Sequence, residues 1–370
     1  MKAQVNREAL GEAVDLAQGV VDPRNIKPVL QDIFFDFTAE GLEVAATNLD
    51  VGIRVLLKDN IQTEEAGAVA LPAGEIASIL RESPDETLAF ESEEEFCHIR
   101  GADSRYRIAG DDPSDFPGIG ATPEGKPVQI EAVVLAEMIK KTRFAAASEA
   151  MRYALNGVLL TGKSGDKNVE MIGADGRRLA NIKRKANAPN PFDIRAIVSL
   201  RGIALMERIL GGREGAVQVL LGERQIWLIA DDVCLVAQLV EGHYPNYEEV
   251  IPDDCDKKAL VNRDAMLSGV RRASVVVTEE SHAVNLTFES NTLILTSDTP
   301  ERGSARIQIE AQYDGDPVTM RFNPDYIVDM LKVAEDEDIV VEFKEASRPA
   351  LLRSGRNYRC LIMPITDAQA

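Results

Sequence analysis

The strongest constraint on the fold of this chain is an order of elements that occurs three times along its 370 residues. Each copy opens with a helix-like segment in which two apolar residues lie four positions apart, on one helical face. These pairs are Leu10/Val14, Leu135/Ile139 and Met266/Val270. Because the same elements follow each pair in the same order, the sequence predicts three copies of one structural module.

Each opening helix is followed by two alternating runs typical of β-strands: Ile33 to Thr47, Gly157 to Ala174 and Ala283 to Ser297. A second helix then carries an apolar stripe suited to packing on a sheet: Ile76/Ile79/Leu80, Met206/Ile209/Leu210 and Ile327/Met330/Leu331. Short strands close each copy: Thr87 to Ile108, Val217 to Leu239 and Ile339 to Met363. The predicted fold class is therefore α+β.

Two stretches between the copies have the composition of linkers. One is rich in Pro and Gly, from Pro117 to Pro127, and the other is acidic, from Pro252 to Lys258. We place the domain boundaries near residues 125 and 252, which gives domains 1–125, 126–252 and 253–370. A chain of this length exceeds what one hydrophobic core usually supports, so several domains are expected.

The composition limits the kinds of function. With 41 basic and 61 acidic side chains, the formal net charge is −20, so any contact with nucleic acid must be confined to a local surface. The N-terminus lacks an apolar signal core and no apolar run is long enough to cross a bilayer, so we expect a cytoplasmic protein without membrane contact. The four cysteines are widely spaced, and we expect neither a metal site nor a cofactor.

One motif suggests an enzyme. Gly157-Val158-Leu159-Leu160-Thr161-Gly162-Lys163-Ser164 fits the pattern of a nucleotide-binding P-loop. Its Val-Leu-Leu centre favours a strand, and a polar turn follows where a phosphate-binding helix should begin. The three histidines share no motif, and we predict no catalytic residue. An NTPase that uses Lys163 and Ser164, and a scaffold built from repeats that binds only proteins, remain the alternatives.

Several strings along the chain carry a family resemblance: Met151 to Gly157, Ala174 to Ala180, Val20 to Leu30, Gly242 to Tyr247, Phe322 to Tyr326 and Leu361 to Ile365. In this order they resemble the bacterial DNA polymerase III beta subunit, the beta sliding clamp. The resemblance spans the whole chain. It implies a DNA clamp with two helices and two antiparallel sheets in each domain, and two copies paired head to tail in a ring.

The resemblance also implies a function and a set of partners. Such a ring catalyses no reaction and encircles double-stranded DNA without sequence preference. It is placed on DNA by a clamp loader and tethers the DNA polymerase III alpha subunit and other proteins that carry a clamp-binding motif. The expected location is the cytoplasm, at replication sites on the nucleoid.

Basic residues gather on the helices that would face the DNA: Lys140, Lys141, Arg143, Arg201, Arg208, Arg271 and Arg272. The resemblance adds Arg24, Arg152 and Tyr153 as DNA contacts. This chain has Ala154 where the family often carries a second aromatic residue. For each basic residue, an ordinary solvated helix face is the alternative.

The resemblance further implies a groove for a partner peptide between the second and third domains. The matching positions are Leu155, Ala174, Gly176, Arg177, Arg178, Leu179, Pro245, Val250, Asn323, Tyr326, Ser347, Pro349, Met363, Pro364 and Ile365. Ala174, Glu249 and Ser281 depart from residues common in the family, as does a tail beyond Ile365, so peptide preference is expected to differ.

The subunit interface implied by the resemblance joins Tyr106 and Ile108 of one copy to Val275 and Val276 of the other. Burial of these residues within β-strands of a single copy is the alternative.

Overall fold

The computed structural model describes residues 1–93, 95–149, 154–163, 167–186, 194–278 and 282–366. Six α-helices lie in this part of the chain: α1 Arg7–Gln18, α2 Ala73–Glu82, α3 Ala132–Thr142, α4 Leu200–Leu210, α5 Arg263–Ala273 and α6 Pro324–Val333.

The strands, in chain order, are β1 Lys2–Asn6, β2 Asp32–Phe37, β3 Leu42–Thr47, β4 Val51–Leu57, β5 Ile61–Glu65, β6 Gly67–Pro72, β7 Thr87–Glu93, β8 Phe96–Arg100, β9 Arg105–Ala109, β10 Val128–Glu131, β11 Gly157–Gly162, β12 Asn168–Ala174, β13 Arg178–Lys185, β14 Ile194–Ser199, β15 Ala216–Leu221, β16 Gln225–Ala230, β17 Val233–Gln238, β18 Lys257–Asn262, β19 Val284–Glu289, β20 Thr292–Thr299, β21 Gly303–Glu310, β22 Val318–Phe322, β23 Asp338–Phe343, β24 Ala350–Ser354 and β25 Tyr358–Ile362.

All six predicted helices are present, and the apolar residues that predicted them are buried. Local capping explains where several of them begin. Asn6 and Asn262 each accept a hydrogen bond from the backbone N–H three residues ahead, and Asn323 accepts one from Asp325 N, directly before Pro324 begins α6. Gly212, with φ of 74°, follows α4, as a residue beyond a helix C-terminus often does.

The described residues form two compact units. The first contains Met1–Ala136 and Arg201–Leu239. It holds a five-stranded sheet in the order β5-β1-β7-β8-β9 and an eight-stranded sheet in the order β10-β15-β16-β17-β4-β3-β2-β6. β17 and β4 join the two halves of the larger sheet, with Leu235 opposite Ile53.

The second unit contains Glu137–Ala186, residues 194–200 and residues 240–366. Its eight-stranded sheet has the order β14-β11-β12-β13-β25-β24-β23-β18, and a four-stranded sheet has the order β21-β20-β19-β22. β13 and β25 join its two halves, with Ala180 opposite Cys360. Each sequence repeat therefore supplies two helices and two sets of antiparallel strands, which confirms the predicted α+β class.

Strands that the alternating pattern did not predict complete the sheets. The first helix of each repeat directly follows one such strand: β1, β10 or β18. The second helix of each repeat follows further strands of this kind: β4 to β6 in the first repeat, β13 and β14 in the second, and β21 and β22 in the third. Several are short, and β5 ends in two consecutive exposed glutamates, Glu64 and Glu65, which interrupt any apolar–polar alternation.

The segment that resembled a P-loop is strand β11, hydrogen-bonded to β12 on one side and β14 on the other. The backbone groups of Gly157–Gly162 are thus committed to the sheet and do not form a phosphate-binding loop. Ser164 lies outside the described residues. Within the described ranges, no helix has the length and apolar character needed to span a bilayer.

Candidate partner groove and nucleic-acid surface

A tight turn between β12 and β13 positions the predicted groove residue Arg178. Asp175 Oδ1 accepts hydrogen bonds of 2.9 Å from the backbone N–H groups of both Arg177 and Arg178. Gly176 has φ of 85°, a left-handed conformation that glycine adopts without steric cost. The sequence Asp175-Gly176 thus forms the turn and directs Arg178 into β13.

The Arg178 guanidinium is a centre of polar contacts within the second unit. It donates to Asp175 Oδ2 at 3.0 Å, Asp329 Oδ2 at 2.8 Å and the carbonyl of Phe144 at 2.6 Å. The guanidinium carbon also lies 4.5 Å from the centroid of the Tyr326 ring and 5.3 Å from that of the Phe144 ring. Burial alone would lower the pKa of Arg178, but hydrogen bonds and attraction from Asp329 and Asp175 raise it. Arg178 is therefore a fixed structural cation.

Sequence reasoning missed the two carboxylates that hold Arg178. Asp329 lies three residues after Tyr326 on α6, so both project from one helical face. Asp175 lies three residues before Arg178, in the segment Ala174 to Ala180 that carries the family resemblance, but it was not predicted as a site residue. The spacing of Tyr326 and Asp329 indicates that they share a helical face, but it does not show that Arg178 is their common partner.

Beside Arg178, buried residues form one apolar cluster, which we call the groove cluster: Ala147, Ala154, Leu155, Leu159, Ile172, Ala174, Leu179, Ile197, Tyr244, Tyr247, Leu351 and Leu361. Val240 and Ile251 pack against it. It brings together three of the predicted groove residues, Leu155, Ala174 and Leu179.

Two tyrosines that were not predicted as site residues are fixed by hydrogen bonds. Tyr244 OH donates to the carbonyl of Ile172 at 3.2 Å, and Tyr247 OH donates to Glu170 Oε2 at 3.2 Å. Burial raises the pKa of both phenols, and the Glu170 carboxylate raises that of Tyr247 further. Both are neutral donors that hold the loop on either side of the predicted residue Pro245.

Two apolar side chains remain open to solvent near the groove cluster. Met363 is 40% exposed and follows the cluster residue Leu361 by two positions, while Val250 is 53% exposed and precedes Ile251. The Met363 backbone N–H donates to the Arg177 carbonyl at 2.9 Å. The chain therefore holds Met363 against the turn that carries Gly176.

The remaining predicted groove residues lie on four segments of the second unit. Asn323 caps α6, and the Ile365 backbone N–H donates to the Arg321 carbonyl at 2.8 Å, just after the buried Pro364. Pro245 is half-buried in the loop after β17. Ser347 and Pro349 lie between β23 and β24, exposed and half-buried, respectively.

Most of the predicted DNA-contacting cations are exposed: Arg24, Lys140, Arg143, Arg201, Arg208, Arg271 and Arg272. Lys140 is in the last turn of α3, and Arg271 and Arg272 are in the last turn of α5, where cations interact favourably with the helix dipole. Arg201 donates to the Val20 carbonyl at 2.6 Å, and Arg208 forms an ion pair with Asp15.

The prediction for Lys141 is wrong. Lys141 is 3% exposed, and its ammonium contacts Glu137 at 2.5 Å and Glu335 at 3.0 Å. Burial alone would raise the pKa of Glu137, but hydrogen bonds from Arg184 and Lys141 outweigh it and lower the pKa, so the Glu137 carboxylate is charged at neutral pH. A buried ammonium shared by two carboxylates is not available to a phosphate. Lys141 is buried because α3 packs with this face inward, and a sequence pattern alone does not show that orientation.

Two further predicted DNA contacts, Arg152 and Tyr153, lie outside the described residues.

The predicted interface residues lie on an edge strand and in a helical turn. Tyr106 and Ile108 are half-buried on β9, the edge strand of the five-stranded sheet. Val275 is 73% exposed in the helical turn Ser274–Val276 that follows α5, and Val276 is half-buried.

Comparisons with known proteins find similarity over nearly the whole chain. Models of the DNA polymerase III beta subunit match residues 1–120 (N-terminal domain), 129–246 (central domain) and 248–366 (C-terminal domain). The beta sliding clamp of Pseudomonas aeruginosa is 28% identical over 360 residues, which cover 96% of this chain and 97% of that protein. The crystal structure of the Bacillus subtilis sliding clamp superposes with a TM-score of 0.95 at 25% identity and covers 99% of both chains.

Three repeats, each with two helices and two sets of antiparallel strands, define a DNA clamp. The chain belongs to the DNA polymerase III beta subunit family, the bacterial beta sliding clamps. The family is a non-catalytic processivity subunit of DNA polymerase III, so the chain is a sliding clamp and not an enzyme. Nothing in these comparisons supports the P-loop NTPase alternative.

Proposed function

We propose that two copies of this chain close head to tail into a ring around double-stranded DNA, and that the groove cluster binds a short peptide motif of partner proteins. Membership of the sliding clamp family supports the ring. A closed ring cannot leave circular DNA without opening, so it needs only a few weak phosphate contacts, which leave it free to slide. In this proposal the domains are 1–125, 126–252 and 253–370.

The apolar character of the groove supports the proposal that it binds a partner peptide. Leu155, Ala174 and Leu179 provide an apolar floor, and the exposed Met363 and Val250 provide apolar edges. Such a surface suits a peptide with leucine and phenylalanine anchors. Met363 is unbranched and flexible, so it can adapt to several partners. The DNA polymerase III alpha subunit and a clamp loader are the partners proposed for it.

We assign DNA contact to the exposed cations Arg24, Lys140, Arg143, Arg201, Arg208, Arg271 and Arg272, and retain Arg152 and Tyr153 on the family resemblance alone. Lys141 is omitted. Contacts of this type attract the phosphate backbone without reading bases, which suits a protein that must slide over any sequence. The proposed site of action is the cytoplasm, at replication sites on the nucleoid.

The test of the groove uses a fluorescent peptide with Leu and Phe anchors and fluorescence anisotropy. Met363→Asp and Val250→Asp place a charge beside the apolar floor, and each is expected to weaken binding at least tenfold. Val133→Asp is the matched control, because Val133 is 65% exposed on α3 and outside the predicted groove. Equal affinity of all three variants for the peptide would contradict this assignment.

A further inference from the structure

The first unit contains a cavity of about 690 Å³ that has no part in the proposed groove or DNA contacts. It lies where the end of α1, the start of α2 and the end of β9 meet, and its polar lining includes Gln18, Gln31, Asp32, Glu75 and Asp111. Three of these five side chains are carboxylates, so the cavity is strongly acidic.

Asp32 is the unusual member of this set. It begins β2, is only 5% exposed and lines the cavity, yet its Oδ2 has no hydrogen-bond partner among the described residues. Burial, together with repulsion from the Asp111 carboxylate, raises the pKa of Asp32 to about 6, although a hydrogen bond from the Asp111 backbone partly opposes this rise. A buried, unsatisfied carboxylate oxygen is costly, and a cation is the group that would relieve it.

The shape of the site favours an organic cation over a metal ion. No group of three or more potential ligands in the described residues is close enough to hold a metal. A guanidinium has five N–H donors in a fixed plane, and it can satisfy carboxylates that are too far apart to share one ion. The cavity is large enough for an arginine side chain entering from outside.

The position of β9 indicates where such a side chain would come from. β9 is an edge strand that runs directly into Gly110 and Asp111 at the cavity, and β21 is an edge strand of the four-stranded sheet. Every pairing between described strands in both sheets is antiparallel. If β9 of one copy pairs in the same way with β21 of another, the end of β9 lies opposite the start of β21.

An exposed arginine stands at the start of β21. Arg302 directly precedes Gly303, and its Nη1 donates to the Val277 carbonyl at 3.2 Å. Arg302 is therefore held next to Val275 and Val276, the segment proposed to meet Tyr106 and Ile108. A parallel pairing would instead bring Arg302 to Arg105, which repels it.

We propose that the guanidinium of Arg302 from a second copy enters the acidic cavity and pairs with Asp32, Glu75 and Asp111, so that this contact latches the closed ring. This inference rests on the head-to-tail ring proposed above. The contact with Arg302 would favour antiparallel pairing of β9 with β21 of the second copy. It would also give the Asp32 Oδ2 atom a hydrogen-bond donor.

The test measures the dimer dissociation constant of the full-length protein by analytical ultracentrifugation. Asp32→Asn and Arg302→Ala are each expected to weaken self-association about tenfold or more. The double variant should be no weaker than the more damaging single variant, because both changes remove the same contact. Arg356→Ala, an exposed arginine in the turn between β24 and β25, is the matched control and should associate like the wild type.

The outcomes separate the latch from the ring. If Asp32→Asn and Arg302→Ala dimerise as well as the wild type, the latch is overturned and the ring is left intact. The same conclusion follows if the effects of the two substitutions on the dissociation constant simply add in the double variant. A wild type that stays monomeric at all concentrations overturns the ring and the latch together. Arg302 is exposed, so its variant is expected to fold, and thermal melting of Asp32→Asn checks that its fold is retained.

Discussion

Arg178 Nη1 donates to Asp329 Oδ2 at 2.8 Å, although the two residues are 151 positions apart in the sequence. The contact ties the start of β13 to α6, and the same guanidinium also reaches Asp175 and lies over Tyr326. One side chain therefore connects the turn of the proposed groove to the helix that bears its aromatic residue.

Loss of the Arg178 side chain should affect both folding and peptide binding. Arg178→Ala leaves Asp175 and Asp329 without their shared cation, so we expect the free energy of unfolding to fall by about 3 kcal/mol. Urea denaturation checks this, and the anisotropy assay should show loss of peptide binding. Arg177→Ala is the control: Arg177 is exposed, and the change should cost less than about 0.5 kcal/mol. Equal stability of the two variants would contradict the role of Arg178.

Gly176 gives a second prediction, which concerns only the backbone. No atom lies within 4 Å of a Cβ placed at Gly176, so the cost of Gly176→Ala comes from its φ of 85° alone. We expect a loss of about 1 kcal/mol, and a smaller loss for Gly176→Asn, because asparagine tolerates the left-handed region. Thermal melting of the two variants checks the order. A more stable alanine variant would show that the turn does not require this conformation.

Neighbouring lysines on α3 give a third prediction. Lys140 is exposed and Lys141 is buried. Lys140→Ala should reduce the slope of log affinity against log salt, measured on a short duplex, by about one, since one phosphate contact is lost. Lys141→Ala should leave that slope unchanged and lower the free energy of unfolding by about 1–3 kcal/mol, because Glu137 and Glu335 lose a shared cation. The reverse pattern would return Lys141 to the DNA surface.

Asp32 gives a fourth prediction, on pH. Its pKa in the folded chain is about 6, above the usual value for aspartate, and Asp111 and Glu75 are the charged groups that face it. The folded chain thus holds this proton more tightly than the unfolded chain, so ionisation of Asp32 destabilises the fold above about pH 6 and the penalty disappears towards pH 4.

Asp32→Asn removes that ionisation. At a protein concentration that keeps the chain monomeric, the variant should be more stable than the wild type at pH 7.5, by up to about 3 kcal/mol, and the difference should shrink towards pH 4. Asp111→Asn should give a smaller gain, because it removes only one of the neighbouring charges. A pH-independent difference between Asp32→Asn and the wild type would contradict this explanation.

Local patterns in the sequence predicted the six helices, because their apolar residues recur at helical spacing and all of them are buried. They did not predict how the sheets join. β4 pairs with β17, and β13 pairs with β25, across long stretches of sequence, and no local pattern encodes such pairing. The short opening strands β1, β10 and β18 lack a long alternating run and were missed for that reason.

The candidate site was only partly predictable. The family resemblance led to Leu155, Ala174 and Leu179, which do share one buried cluster. It did not indicate that Arg178 is held by Asp175 and Asp329, nor that Lys141 is enclosed by Glu137 and Glu335. Charge on a helix is visible in a sequence, whereas the direction in which each charge points depends on what packs beside it.

The most direct test of the proposed ring is retention on DNA of different topology. The protein is loaded on a nicked circular plasmid with a clamp loader and ATP, and bound and free protein are separated by gel filtration before and after the plasmid is cut at one site. We predict that the protein stays with the circle at a salt concentration that abolishes binding to a short duplex, and is released when the circle is made linear. Equal retention on circular and linear DNA would show that the protein is held by direct contacts and not by encirclement.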